Sequence, residues 1–213
     1  GSGKLFLPSP YLHQLSSLSL EVSCFLSETV INDCFVSAMM FVDVHAHLHF
    51  KQFDEDREAV IERAKQSGVV AIVNSGTDYD TNVQVLELAK KYDIIKASLG
   101  IYPTYVESIS EEELTRNIEF IKKQKNNIIS IGEVGLDYHY TKDPDKQRIQ
   151  RERFKRILNE LAPLDKPFVI HCRSAEQDVV EILSSTSLKK VNFHCFTGRH
   201  SVLKTIVDRG WTF

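Results

Sequence analysis

A rhythm constrains this chain more than any single residue. Short apolar runs begin near residues 41, 69, 95, 128, 167, 191 and 211, and stretches with helical periodicity lie between them. Val69-Val70-Ala71-Ile72-Val73 ends in Asn74-Ser75-Gly76, a β-branched strand meeting a turn. Ile94–Leu99 stops at Gly100 and Pro103, and Ile128–Ile131 stops at Gly132. Pro167–Ile170 and Val191–Phe193 read as further strands, and Trp211-Thr212-Phe213 opens another. The intervening pattern predicts helices over Asp54–Ser67, with Val60, Ile61 and Ala64 inward, and over Thr81–Lys91, with Val83 and Leu86 inward. Ser110-Glu111-Glu112-Glu113 has the form of a capping box, opening a helix through Leu114, Ile118 and Ile121. Asp145–Leu161 is a long charged helix with Ile149, Phe154, Ile157 and Leu161 inward, followed by helices over Ala175–Ser184 and His200–Arg209. Strands that are apolar throughout belong in a parallel sheet covered on both faces. We therefore expect an α/β fold of the (β/α)8 TIM-barrel type, with seven of its eight β-units in these residues. A doubly wound sheet fits less well, because no Gly-rich loop follows the first strand.

Composition narrows the chemistry. The chain has 213 residues, 42% hydrophobic and 26% charged, with a net charge of −3, which supplies a sizeable core and argues against a uniformly basic nucleic-acid-binding surface. The cysteines (Cys24, Cys34, Cys172 and Cys195) show no CxxC spacing, which argues against both a disulfide scaffold and a structural zinc finger. A reducing compartment follows as the expectation, with a cytoplasmic, monomeric protein. Residues 1–39 are Ser- and Leu-rich without sustained period and contain no uninterrupted membrane-length apolar run. We read them as an N-terminal extension of unknown role, and 40–213 as the functional domain.

Phe41-Val42-Asp43-Val44-His45-Ala46-His47-Leu48 is the first chemically loaded stretch. Strand side chains alternate, so His45 and His47 point the same way from a strand expected to be buried. Glu133, His171 and His194 likewise follow the apolar runs at 128, 167 and 191. In parallel α/β folds these strand ends form one face, where function collects. Imidazoles with a carboxylate suit a divalent metal, and five such groups exceed one tetrahedral site. A binuclear centre bridged by Glu133 is the expectation. Arg173, two residues past His171, reads either as a cap or surface ion-pair residue or as a guanidinium that could hold an anionic group, as could Arg199; His49 and His139 are weaker candidates. Asp43 and Asp137 read as residues supporting a histidine or as turn and cap residues. The charged run Asp143–Arg156 reads as a solvated helix face, and Cys172 and Cys195 as small buried residues rather than nucleophiles. Tyr102, Tyr138 and Tyr140 read either as aromatics lining the mouth of the barrel or as faces on which a planar ligand group could stack.

FVDVHAHL, SLGIYPTY, IGEVGLDY, VIHCRSA and NFHCFTG, in this order, resemble the TatD family of metal-dependent hydrolases and deoxyribonucleases. The resemblance implies an amidohydrolase-like barrel and metal-dependent hydrolysis of DNA phosphodiesters, often from a 3′ end. It places His45, His47, Glu133, His171 and His194 at the family's metal positions, with two divalent ions (Mg, Mn or Zn). Glu133 and His171 are then also the candidate catalytic residues, with Arg173 and Tyr102 binding substrate. Tyr102 stands where the family commonly has a histidine. The family's aspartate in a Thr-Asp-Ser-Pro motif after the eighth strand lies past Phe213, so we expect a chain without that ligand and without the last strand and helix. Two other readings carry weight: a catalytically impaired chain that binds metal or a partner, and a hydrolase of another ester such as aminoacyl-tRNA. Cys24-Phe25-Leu26 and Cys34-Phe35-Val36 suggest that residues 1–39 fill the gap beside the first strand.

Overall fold

The computed structural model describes residues 40–194 and 196–213. The reading of residues 1–39 as an extension filling the gap beside the first strand, and any role for Cys195, lie outside the described residues.

Among the described residues the order is β1 (Phe41–Ala46), α1 (Arg57–Gln66), β2 (Val69–Ser75), α2 (Tyr79–Lys91), β3 (Ile95–Leu99), α3 (Pro103–Val106), α4 (Glu111–Lys123), β4 (Ser130–Asp137), α5 (Pro144–Leu161), β5 (Phe168–Arg173), α6 (Glu176–Ser184), β6 (Val191–Phe193) and α7 (His200–Asp208). All strand pairs are parallel, and the sheet runs β1-β2-β3-β4-β5-β6. Each crossover advances one strand in the same direction, as in a barrel; a doubly wound sheet reverses direction partway. The expected seventh unit is reduced to a parallel bridge between Asn192 and Thr212. No described helix is long and apolar enough to cross a membrane.

The core forms where the helices cover this sheet. Leu99, Ile131, Leu136, Phe154, Phe168 and Phe193 are all fully buried in one cluster. A smaller cluster of Leu48, Ile61, Ile72, Ile94 and Ile95 holds α1 against the first three strands. β4 is buried along its entire length, as a strand between two neighbours in a sheet covered by helices should be. β1 departs from the expectation of a buried strand: Phe41, Val42 and Val44 are 47%, 54% and 58% exposed. It lies at the edge of the sheet and pairs only with β2 among the described strands.

Side-chain capping sets several helix starts. α2 begins earlier than the apolar pattern suggests because Asp78 and Thr81 form a reciprocal capping box. At α4 the Ser110 hydroxyl accepts from the Glu113 N–H as expected, but the Glu113 carboxylate turns instead toward Tyr105, Arg116 and Asn117. α5 starts at Pro144, capped by the Asp143 carboxylate. Two inward positions differ from the periodicity reading. α2 buries Asn82, Val85 and Leu86 rather than Val83, and α5 buries Gln150 rather than Ile149. The charged face of α5 is also engaged rather than simply solvated: Arg153 and Arg156 pair with Glu111 of α4, and Arg151 reaches Tyr138 and Asp178.

Two glycines set the strand spacing near the polar end of the sheet. Gly135 of β4 has a φ of 149°, and a Cβ there would collide with the His171 carbonyl of β5. Gly100 packs its α-carbon against the backbone of Gly132 and Glu133. Because Phe154 plugs the main core at zero exposure, Phe154→Ala is expected to lower unfolding stability by about 3–5 kcal/mol, read from urea midpoints.

Candidate metal centre

The strands deliver polar side chains to one end of the sheet. His45 and Glu133 lie within β1 and β4, and His171 within β5, while His194 follows β6 directly. Three of the four thus sit inside strands rather than after them, because β1, β4 and β5 run further than their apolar cores indicate. Parallel register then aligns them: Ala46 pairs with Asn74, Ser75 with Ser98, and Gly135 with His171.

Glu133 occupies the middle. The residue is 3% exposed, and its two carboxylate oxygens face different partners. Oε1 lies 2.6 Å from His171 Nδ1 and 2.8 Å from His194 Nε2. Oε2 lies 3.5 Å from His45 Nε2 and 3.3 Å from His47 Nε2. Two ligand groups result, His45–His47–Glu133 and Glu133–His171–His194, each with donor atoms within 4.8 Å of one another. Within them His45 and His47 bring Nε2 atoms 3.1 Å apart, and His171 Nδ1 and His194 Nε2 are 3.3 Å apart. The rings of His45 and His194 stack at 4.0 Å, linking the two groups.

Neighbouring acceptors fix which nitrogens are available. The Ser75 carbonyl can only accept, so His47 Nδ1 donates to it across 2.8 Å, which turns Nε2 toward Glu133. The Ser75 hydroxyl lies 3.2 Å from His45 Nδ1. The Asp137 carboxylate also only accepts, so His171 Nε2 donates to Oδ2 at 2.9 Å and Nδ1 faces Glu133. This carboxylate–histidine arrangement is the one that orients metal-ligating imidazoles. The donor set therefore fits divalent cations: imidazole nitrogens converge from two sides on a shared, buried carboxylate.

Charge follows from these contacts. Burial pushes the Glu133 carboxyl upward, but hydrogen bonds from His171, His194, His45 and His47 override it and hold Glu133 well below the usual carboxylate range. Burial likewise opposes ionisation of Asp137, and His171 with the Tyr140 N–H outweighs it, so Asp137 stays ionised. Burial disfavours the His171 imidazolium, yet Asp137 and Glu133 raise it to about 9. His45 is lowered, chiefly by burial.

Asp137, which the sequence left ambiguous between turn, cap and support, contacts His171 directly. It is fully buried, and its Oδ2 also accepts from the Tyr102 hydroxyl at 3.1 Å. Its place four residues after Glu133 in the Gly-Glu-Val-Gly-Leu-Asp run of β4 is the available signal. Tyr102 packs edge-on against His171 with ring centroids 4.7 Å apart. Arg173 ends β5 outside the two ligand groups, with Nη1 3.2 Å from the Tyr140 hydroxyl and its guanidinium 5.0 Å from that ring. Arg199 is exposed at the N-cap of α7, and His139 is exposed, edge-on to Tyr140. His49 is buried beside His47 and Phe50, outside both groups, and burial lowers it to about 4. Asp43 accepts from the His45 N–H. Cys172 is buried, which pushes its thiol up and leaves it inert.

A group whose folded pKa is raised contributes stability below its unfolded value and loses it as pH rises through the folded value. For His171 that window runs from 6.5 to about 9. The chelator-treated chain is therefore expected to melt at a lower temperature at the upper end of this window than at the lower end. His171→Gln should flatten that slope, as read by calorimetry at both pH values.

The family model described as "TatD related DNase" matches residues 42–213. A Bacillus subtilis protein named as the uncharacterised metal-dependent hydrolase YabD is 39% identical over 167 residues, covering 78% of this chain and 64% of its own. The human protein named deoxyribonuclease TATDN3 is 29% identical over 181 residues, covering 81% and 66%. The crystal structure of YjjV, a TatD homologue from Escherichia coli, superposes with a TM-score of 0.73 at 28% identity, covering 80% of this chain and 66% of that one. The chain thus spans just under two thirds of the length of these relatives. With the sequential parallel sheet and its polar end in place, this chain belongs to the TatD-related DNase family.

Proposed function

We propose that this chain forms part of a metal-dependent phosphodiesterase acting on DNA through a binuclear divalent-metal centre, in an exonuclease-like manner. The observation that carries the reading is the division of the Glu133 oxygens between two histidine pairs. A shared carboxylate with imidazoles on either side is the donor pattern of a two-metal hydrolytic site. The name of the human relative, a deoxyribonuclease, supports DNA as the substrate class.

A divalent ion in each group would supply positive charge against the phosphodiester anion and acidify a water. The chain's own residues do the rest. Glu133 holds both ligand groups at a fixed separation, and His45, His47, His171 and His194 close them. Asp137 retains the proton on His171 Nε2, so Nδ1 stays directed at Glu133. Glu133 and His171 are thus catalytic residues as well as ligands in this reading. Arg173, exposed enough to meet solvent at the end of β5, takes a phosphate oxygen through its guanidinium fork. Tyr102, beside His171, borders the substrate.

The test is cleavage of end-labelled single-stranded DNA with Mg²⁺ or Mn²⁺ and with a chelator. Metal-dependent cleavage is expected. Glu133→Gln should abolish it beyond the ~10–100-fold loss typical of a supporting residue, because it disrupts both groups at once. Arg173→Ala should raise KM while leaving kcat within a few-fold. Absence of cleavage by a folded, metal-loaded protein would overturn the reading.

A further inference from the structure

The stripe that α5 turns inward contains one polar residue, Gln150, at zero exposure among Phe154, Ile157, Leu158 and Leu161. Its side-chain amide pairs with the backbone of Asp137. Oε1 accepts from the Asp137 N–H at 2.9 Å, and Nε2 lies 3.4 Å from the Asp137 carbonyl. Nε2 also donates to Glu107 Oε2 at 2.5 Å and to Thr141 Oγ1 at 2.9 Å. The Thr141 hydroxyl donates to the same Glu107 oxygen at 2.7 Å, and Lys146 lies 3.6 Å from the other one.

These contacts permit one orientation of the amide. The Glu107 carboxylate only accepts, so the Gln150 NH2 must face it, which turns Oε1 to the Asp137 N–H. A residue needed only for packing could be Leu or Met at this position. A buried amide costs desolvation that only its polar partners offset. The Asp137 carboxylate is then held from its other side, Oδ1 by the Tyr140 N–H at 2.9 Å and Oδ2 by His171 and Tyr102. Asn82 on α2 does the same at the end of β3, its Oδ1 and Nδ2 pairing with the N–H and carbonyl of Gly100 at 3.0 and 2.8 Å.

We infer that Gln150 is a positioning residue: clamped by Glu107 and Thr141, it sets Asp137, and through Asp137 it keeps the proton of His171 on Nε2 and Nδ1 toward the metal. The inference rests on the metal-centre reading above and extends it one layer outward, to α5 and the C-terminal cap of α3.

The test uses the full chain in three variants. Gln150→Met removes the amide at similar volume. Gln150→Glu sets a second carboxylate against Glu107. Glu107→Gln with Gln150→Glu reverses donor and acceptor, and the Thr141 hydroxyl can rotate to suit. The first readout is nitrogen-detected imidazole NMR of the metal-free protein, following exchange of the His171 Nε2 proton with water. The second is Mn²⁺ affinity by calorimetry. Gln150→Met should speed that exchange by about tenfold or more and weaken Mn²⁺ binding about 10–100-fold, and the reversed pair should recover most of both relative to Gln150→Glu alone. A folded Gln150→Met chain with lower Tm but unchanged exchange and affinity would show packing alone and overturn the inference. So would a reversed pair no better than Gln150→Glu; that comparison decides the matter if Gln150→Met does not fold. The exchange is read without metal or DNA, so failure of the nuclease reading leaves it standing, and normal exchange in an active Gln150→Met enzyme sinks only this inference.

Discussion

The Glu133 carboxylate is the interaction on which the rest of the structure depends. It is a buried anion, and a buried anion is tolerated only when paired and hydrogen-bonded. Its four imidazole neighbours come from β1 and the residue after it, from β5 and from the residue after β6. Each strand must therefore end at the right height for the carboxylate to be satisfied. The sequential parallel sheet meets this demand, because its register carries the chemistry-bearing end of every strand to one level.

Two helices reinforce those strand ends with side-chain amides. Asn82 from α2 pairs with Gly100 after β3, and Gln150 from α5 pairs with Asp137 at the end of β4. Each substitutes for a strand neighbour, supplying one donor and one acceptor where the ladder runs out. Both occupy inward positions that an apolar residue would otherwise fill. The helices thus cover the sheet and also hold in place the backbone from which the site projects.

Much of this was legible in the sequence. The alternation of apolar runs with helical periods marked the strands and the main helices, and the five candidate ligands stood out as His or Glu beside those runs. Their convergence followed from one rule about parallel strands. Other features were hidden for identifiable reasons. Asp137 looks like a turn aspartate because its role depends on His171, thirty-four residues away and on another strand. Gln150 looks exposed beside Ile149 because a periodicity argument assigns apolar residues to the inside and has no means of placing a satisfied buried amide. The exposure of β1 was equally unreadable, since Phe41, Val42 and Val44 look buried until their place at the sheet edge is known.

By itself, then, the sequence determined the parallel α/β class, the helix and strand rhythm and the candidate metal donors, because burial and side-chain chemistry are written locally with periods of 2 and 3.6 residues. Only the tertiary structure decided how the Glu133 oxygens divide between two histidine pairs, which nitrogen each ring directs inward, and which buried amide holds Asp137. Those outcomes depend on which donor faces which acceptor across elements distant in the chain, and no local period encodes that.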